Sequence, residues 1–129
     1  MESASSARVR AGRALSGLAV LFLTFDAMVK VLKLAPGVKA TVELGYPEGT
    51  VVPIGLLLLA GVALYVVPGT SVLGVIYLTA YLGGAVASHV RVGNPLLTHT
   101  LFPTYVAALL WGGLILRNPR LLGVLLGGH

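Results

Sequence analysis

Two side chains of opposite charge, Asp26 and Lys30, stand one helical turn apart in a mostly apolar stretch of the sequence. Ionised side chains inside a membrane helix are costly, and where they persist they commonly mark a ligand site or a proton path. We therefore interpret Asp26 as a candidate acid or base whose charge state is set by Lys30. The structural alternative is an ion pair that only neutralises itself within one helix.

Other polar side chains fall at the same level of the chain and could act with this pair. His89 is a third candidate catalytic residue, because imidazole titrates near neutral pH and can transfer a proton. The candidate ligand-binding residues are Glu43, Tyr46, Tyr81, Ser88, Arg91 and His99. Together these groups favour proton transfer, or contact with the polar end of a ligand, over other chemistry.

Neither a metal site nor a resident cofactor is predicted. His89 and His99 belong to no His-x-x-x-His or Glu-x-x-His motif, so they lack the usual spacing of metal ligands. The chain has no cysteine, which excludes thiolate ligands, disulfides and iron–sulfur clusters. A redox role would therefore require a bound cofactor, and a quinone is the candidate that stays open.

The composition is that of an integral membrane protein. Hydrophobic residues make up 57% of the chain and charged residues 10%, with a mean hydropathy of +0.95. Soluble domains average roughly half apolar and a quarter charged residues. A length of 129 residues suffices for about four spans of roughly 20 residues each. Four apolar segments fit this number, at residues 12–34, 50–67, 70–90 and 98–116.

These segments predict an all-α fold, a four-transmembrane-helix bundle of up-down-up-down topology forming a single domain over residues 1–129. Residues 67–70 are the only connection between the second and third spans, which must then be antiparallel neighbours. The longer loop at residues 35–49 is expected to cover the mouth of the bundle. The first segment is too long and too charged for a cleavable signal peptide and is expected to stay as a helix.

The basic residues predict the orientation of the bundle. Arginines cluster near the two termini, whereas fewer basic residues lie at the opposite end, at Lys33, Lys39 and Arg91. Cytoplasmic segments carry an excess of basic residues, so both termini are expected in the cytoplasm of a bacterial cell, with the bundle in the inner membrane. Because the basic residues lie at span ends and not in one patch, nucleic acid is not an expected partner.

Depth along the helices brings the candidate residues together. At 1.5 Å per residue Asp26 lies in the outer half of the first helix, and Tyr81, Ser88, His89 and His99 fall in the same half of the third and fourth. We expect them to line one chamber. Small residues at 83, 84, 87 and 88 predict close helix packing, either within the bundle or in a homo-oligomer.

Two sequence strings carry a resemblance to a known family, AYLGGAVASHVR at residues 80–91 and WGGLILRNPRL at residues 111–121. With Phe25-Asp26 and Lys30, the LGYP loop at residues 44–47, and His99 with Pro103, they resemble the DoxX-like family of small bacterial four-span membrane proteins. The likeness covers about residues 25–121. Ser88 stands where threonine is common in that family, and Asn94 where aspartate is frequent.

The resemblance implies a four-helix membrane bundle, similar to bundles that handle quinones, sterols and related lipophiles. It does not imply one activity, although the DoxX name derives from a subunit of a thiosulfate:quinone oxidoreductase. Three hypotheses follow for this chain. It binds a lipophilic small molecule and catalyses cofactor-independent isomerisation or cyclisation; or it is the membrane subunit of a quinone-linked oxidoreductase with a redox partner protein; or it is a non-catalytic scaffold or small transporter component whose buried polar groups only fix the helix register. Membrane lipids are expected partners in each case.

Overall fold

A computed structural model of the protein describes residues 2–127, with side chains over residues 6–127. This part of the chain is helical and contains no strand. The α-helices are α1 (Glu2–Val31), α2 (Ala35–Glu43), α3 (Val51–Val66), α4 (Ser71–Arg91), α5 (Phe102–Arg117) and α6 (Arg120–Leu125). Four stretches are long and apolar enough to cross a membrane, at Ser6–Val31, Glu48–Val66, Pro68–Arg91 and Leu96–Arg117. The predicted all-α fold of four membrane helices is confirmed.

The segment between the first two spans differs from the predicted loop, because residues 35–43 form the short helix α2. Pro36 lies in its first turn, where the missing amide hydrogen removes no helical bond. Lys33 adopts a left-handed conformation with φ of 53°, which turns the chain away from α1. A Cβ atom on Gly37 would lie 2.6 Å from Cγ1 of Val29, so only glycine allows α2 to pack this closely on the end of α1.

The four membrane helices form a square bundle. Helix α1 packs against α3 and α5, and α4 packs against the same two helices, so α1 and α4 stand on a diagonal. Arg8 near the start of α1 donates a hydrogen bond of 3.1 Å to the carbonyl of Leu116 near the end of α5. The first and last spans therefore begin and end at the same end of the bundle, which we call the terminal end. The opposite one is the distal end.

Glycines set the distances between the helices. A Cβ atom on Gly113 of α5 would collide with Ser16 and with the carbonyl oxygen of Gly12 in α1. A Cβ atom on Gly74 of α4 would collide with the backbone of Tyr65 in α3. The close approach buries a core of mainly aliphatic side chains, which includes Ala19, Leu23, Leu58, Leu78 and Leu110.

Candidate functional site

The Asp26 and Lys30 side chains form an ion pair in the distal half of α1. Lys30 Nζ lies 2.7 Å from Asp26 Oδ1. The Lys30 side chain is only 12% exposed, against 36% for Asp26. Helix α3 covers the lysine at Gly55, where a Cβ atom would lie 2.8 Å from the Cβ of Lys30. The ammonium group is thus held against the carboxylate, while the carboxylate keeps an open side.

Tyr81 reaches toward this pair from α4, on the other side of the bundle. Its ring is half-buried and packs on the aliphatic core. Its hydroxyl lies within electrostatic range of the Asp26 carboxylate and of the Tyr46 hydroxyl. No hydrogen bond joins the Tyr81 hydroxyl to another side chain or carbonyl in the part of the chain that has described side chains. A phenol without such a partner therefore lies within electrostatic range of the Asp26 carboxylate.

The loop after α2 is tied to the distal end of α4 by two contacts. The Tyr46 hydroxyl lies 2.6 Å from Ser88 Oγ, and Ser88 Oγ donates to the carbonyl of Gly84 at 2.9 Å. Since a serine hydroxyl has one hydrogen, Tyr46 is the donor to Ser88. Arg91 donates a bond of 2.6 Å to the carbonyl of Leu44, and its guanidinium lies 5.6 Å from the centre of the Tyr46 ring.

We call these four residues, Leu44, Tyr46, Ser88 and Arg91, the loop clasp. Gly45 lies within it at a φ of 92°, in the left-handed region that favours glycine. A Cβ atom there would lie 2.7 Å from Nη2 of Arg91. The backbone turn at Gly45 therefore brings the loop onto the arginine, and the clasp joins the loop to the distal end of α4.

His89 and His99 form a separate cluster where α4 meets α5. Their ring centres are 6.1 Å apart with an angle of 75° between the planes. Asn94 Nδ2 lies 2.7 Å from Nδ1 of His89, and Thr98 Oγ1 lies 2.8 Å from Nδ1 of His99. Because an amide nitrogen only donates, Nδ1 of His89 accepts and the neutral ring carries its hydrogen on Nε2.

A wide helical turn positions the second imidazole. Residues 96–100 form one π-helical turn before α5, in which the amide of Thr100 bonds the carbonyl of Pro95 at 3.0 Å. Such turns are rare in proteins, but where they occur they often lie at functional sites. The turn leaves the His99 ring exposed beside His89, while Thr100 is buried and donates to the carbonyl of Asn94 at 3.2 Å.

The candidate residues thus divide into two adjoining clusters, where the sequence predicted one chamber. Asp26, Lys30 and Tyr81 lie inside the bundle beneath the loop clasp, whereas the two imidazoles pair at the junction of α4 and α5. The physical reason is helical geometry, since adjacent residues Ser88 and His89 point about 100° apart around α4.

Glu43 joins neither cluster. Its side chain is 65% exposed, and its carboxylate lies 3.9 Å from Nζ of Lys39 one turn earlier in α2. Within the described residues, no group of three or more potential ligands could hold a metal ion.

The sequence did not predict a groove that runs between α4 and α5 below the imidazoles. It has a volume of about 180 Å³ and is lined by Thr79, Leu82, Gly83 and Val86 of α4 and by Pro103, Thr104 and Ala107 of α5. Trp111 Nε1 donates to Thr79 Oγ1 at 2.7 Å next to these residues. The small residues at 83 and 84, interpreted as a packing surface, have open space around them within this chain.

Fold and site together define a small multi-pass membrane protein whose four apolar helices form a bundle. The model of the DoxX-like family matches residues 14–113, more than three quarters of the chain. The chain belongs to this family, as its sequence strings indicated. No significant match was found among curated proteins or among solved structures.

Proposed function

We propose that this DoxX-like protein binds a lipophilic molecule with one polar end in the distal half of its bundle and moves a proton on that molecule without a cofactor. The observation that carries the proposal is the ion pair of Asp26 and Lys30, whose carboxylate is partly exposed and lies within electrostatic range of the Tyr81 hydroxyl. An ionised carboxylate and a phenol donor are the two groups that such chemistry requires.

Each residue has a role in this proposal. Lys30 pairs with the Asp26 carboxylate at 2.7 Å, and Asp26 removes a proton from a carbon beside a double bond or carbonyl of the ligand. Tyr81 donates a hydrogen bond to the ligand oxygen as negative charge develops there. Asp26 then returns the same proton to a different carbon, so the double bond shifts and no electrons are gained or lost. Isomerisation, or a cyclisation begun in the same way, fits this set of groups.

The loop clasp supports the proposal because it holds Tyr46 at the distal end of α4, within electrostatic range of Tyr81. Excluding water from a site strengthens the electrostatic interactions within it. A loop held by a hydroxyl pair and one guanidinium contact can also be released to admit a ligand. Residues Tyr46, Ser88 and Arg91 then act as positioning residues and do not touch the reacting atoms.

A scaffold function is the second candidate, and it is favoured by the ion pair satisfying itself at 2.7 Å. Buried pairs that fix helix register are attested in other proteins. The two candidates differ in whether the order of the charges matters. If the protein is only a scaffold, any pair of opposite charges with the same spacing stabilises the bundle equally well.

The test compares Asp26→Asn with the exchanged pair Asp26→Lys/Lys30→Asp, each purified in mild detergent for mass spectrometry of bound small molecules. We expect the wild type to retain a lipophile and both variants to lose it or fail to convert it, while the exchanged pair keeps wild-type thermal stability. If the exchanged pair keeps both ligand and turnover, the roles assigned to Asp26 and Lys30 are wrong. If the wild type retains and converts no lipophile while the exchanged pair keeps its stability, the scaffold is correct.

We also infer that the bundle lies in the bacterial inner membrane with its termini in the cytoplasm. Arg8, Arg10, Arg13, Arg117 and Arg120 all belong to the terminal end, which supports this orientation. The candidate clusters then lie in the outer leaflet. A reporter enzyme that is active only outside the cytoplasm should be inactive when fused to the C-terminus; activity there would reverse the orientation.

A further inference from the structure

The lining of the groove between α4 and α5 ends about one helical turn before the paired imidazoles. Its lining residues on α4, from Thr79 to Val86, span about 10 Å of helix axis at 1.5 Å per residue. One further turn along the same face of α4 is His89. On α5 the lining ends at Pro103, which follows the π-helical turn carrying His99. The groove is therefore apolar along its lining, and an imidazole pair lies about one helical turn beyond its distal end.

The lining of the groove exposes hydrocarbon atoms and no charged group. Thr79 donates its hydroxyl hydrogen to the carbonyl of Val75 at 2.6 Å and accepts from Trp111, so its methyl group remains for the groove. Gly83 and Ala107 are small residues, and they leave the space that forms the groove. Because these residues lie within membrane-spanning stretches, the groove opens on hydrocarbon and not on water.

The imidazole end presents neutral hydrogen-bonding groups. Asn94 occupies Nδ1 of His89, which leaves its Nε2 hydrogen available to an oxygen atom. The nearest cation along α4, Arg91, is already bonded to the carbonyl of Leu44 and stacked on Tyr46. The groups at this end thus suit an uncharged oxygen better than a phosphate, which would require a free guanidinium or ammonium.

We infer that this groove is a lateral binding site for a single-chain lipophile that ends in a hydroxyl or carbonyl oxygen, with the chain against Gly83 and the oxygen at His89 and His99. A helix of a second copy is the alternative occupant, which the cross-linking experiment distinguishes. The site is separate from the Asp26 pair and goes beyond the proposed proton transfer.

Two glycines provide a matched pair of variants. Gly83 lines the groove and the adjacent Gly84 does not, while both have open space for a side chain. Gly83→Leu should fill the groove without moving the backbone, and Gly84→Leu adds the same atoms on a neighbouring face of α4. Both variants should fold, because neither new side chain meets another atom at its Cβ position.

The experiment uses the full chain in phosphatidylcholine vesicles with two photoreactive probes, a long-chain alcohol and the matching alkane without the hydroxyl. Cross-linked positions are mapped by mass spectrometry. We expect the alcohol to label residues 79–86 and 103–107 in the wild type. We expect labelling to fall about tenfold in Gly83→Leu, equivalent to roughly 1.4 kcal/mol of binding free energy, and to stay unchanged in Gly84→Leu.

The imidazole end is tested by His89→Phe and His99→Phe, which keep an aromatic ring and remove the nitrogen atoms. Each should abolish the preference for the alcohol over the alkane in the wild-type groove. Equal labelling by the two probes in the wild type, or equal labelling of the two leucine variants, would overturn the inference. So would protein dimers cross-linked through Gly83 with no probe bound.

Asp26→Asn separates this site from the proposed function. It should leave the labelling of the groove unchanged while removing any turnover of the lipophile bound inside the bundle. If Asp26→Asn abolishes groove labelling in folded protein, the groove is not an independent site and the inference fails, whatever the result for turnover.

Discussion

The hydroxyl of Tyr65 in α3 lies 2.7 Å from the hydroxyl of Ser16 in α1, in the buried core of the bundle. Tyr65 donates its hydrogen to the carbonyl of Leu110 in α5 at 2.6 Å, so Ser16 is the donor to Tyr65. Arg117 in turn donates to Ser16 Oγ at 3.0 Å. One phenol therefore joins three of the four membrane helices through polar groups.

Removing this phenol should loosen the bundle. Tyr65→Phe keeps the ring and loses both hydrogen bonds, so we expect the free energy of unfolding to fall by about 1 kcal/mol, within the range found for hydrogen bonds between membrane helices. Thermal unfolding in detergent measures the change. Tyr105→Phe is the control, since the exposed Tyr105 hydroxyl bonds Leu97 near its own helix. Equal losses in the two variants would contradict the role of Tyr65.

Gly74 should tolerate no side chain. In Gly74→Ala the new Cβ would meet the backbone of Tyr65, which cannot rotate aside, so α3 and α4 must separate. We expect a loss of about 1–3 kcal/mol in stability, the usual cost of overpacking. Gly84→Ala, with open space at the same atom, should be neutral or gain up to about 1 kcal/mol from helix propensity. A stable Gly74→Ala protein would show that the α3–α4 contact is looser than described.

The loop clasp should depend on the guanidinium of Arg91. Arg91→Met keeps most of the side-chain length and removes the donor to Leu44 and the charge over Tyr46. We expect amide hydrogen exchange at residues 44–50 to accelerate by about three- to tenfold, as the loss of a hydrogen bond worth about 0.5–1.5 kcal/mol implies. Lys39→Met is the control because its side chain is 78% exposed. Unchanged exchange in Arg91→Met would mean that the clasp does not hold the loop.

The ion pair in α1 should show strong coupling between its two members. Asp26→Leu alone leaves the Lys30 ammonium beneath α3 without its partner, and we expect a loss of about 2–3 kcal/mol, the cost of a lone charge at such depth. Asp26→Leu/Lys30→Leu should recover this loss or exceed wild-type stability.

A double-mutant cycle of Asp26→Leu, Lys30→Leu and the double variant measures that coupling from the three changes in unfolding free energy. Additive losses would show that the two charges do not stabilise each other. If the double variant regains stability but no longer binds the ligand, the charged pair destabilises the fold and is retained for ligand binding.

Features that depend on nearby residues could be predicted from the sequence. Runs of about 18 or more apolar residues must be helical in a membrane, because their backbone groups have no other partners there, and this determined the four-helix fold. The spacing of four between Asp26 and Lys30 places them on one helix face, and they do form a pair. Helix α2 was not predicted because Pro36 and Gly37 are residue types that commonly end a helix, although proline is well tolerated in a first helical turn.

Contacts between residues far apart in the chain were decided only by the tertiary structure. Tyr46 meets Ser88 across 42 positions, and Tyr65 meets Ser16 across 49, distances over which no local periodicity carries information. Depth along a helix predicted the level of the imidazoles but not the face of the helix on which they lie. Depth follows from residue number, whereas the facing direction depends on how each helix is rotated in the bundle. The same rotation leaves Gly83 open to hydrocarbon and makes Gly74 a tight contact, although both are glycines of α4.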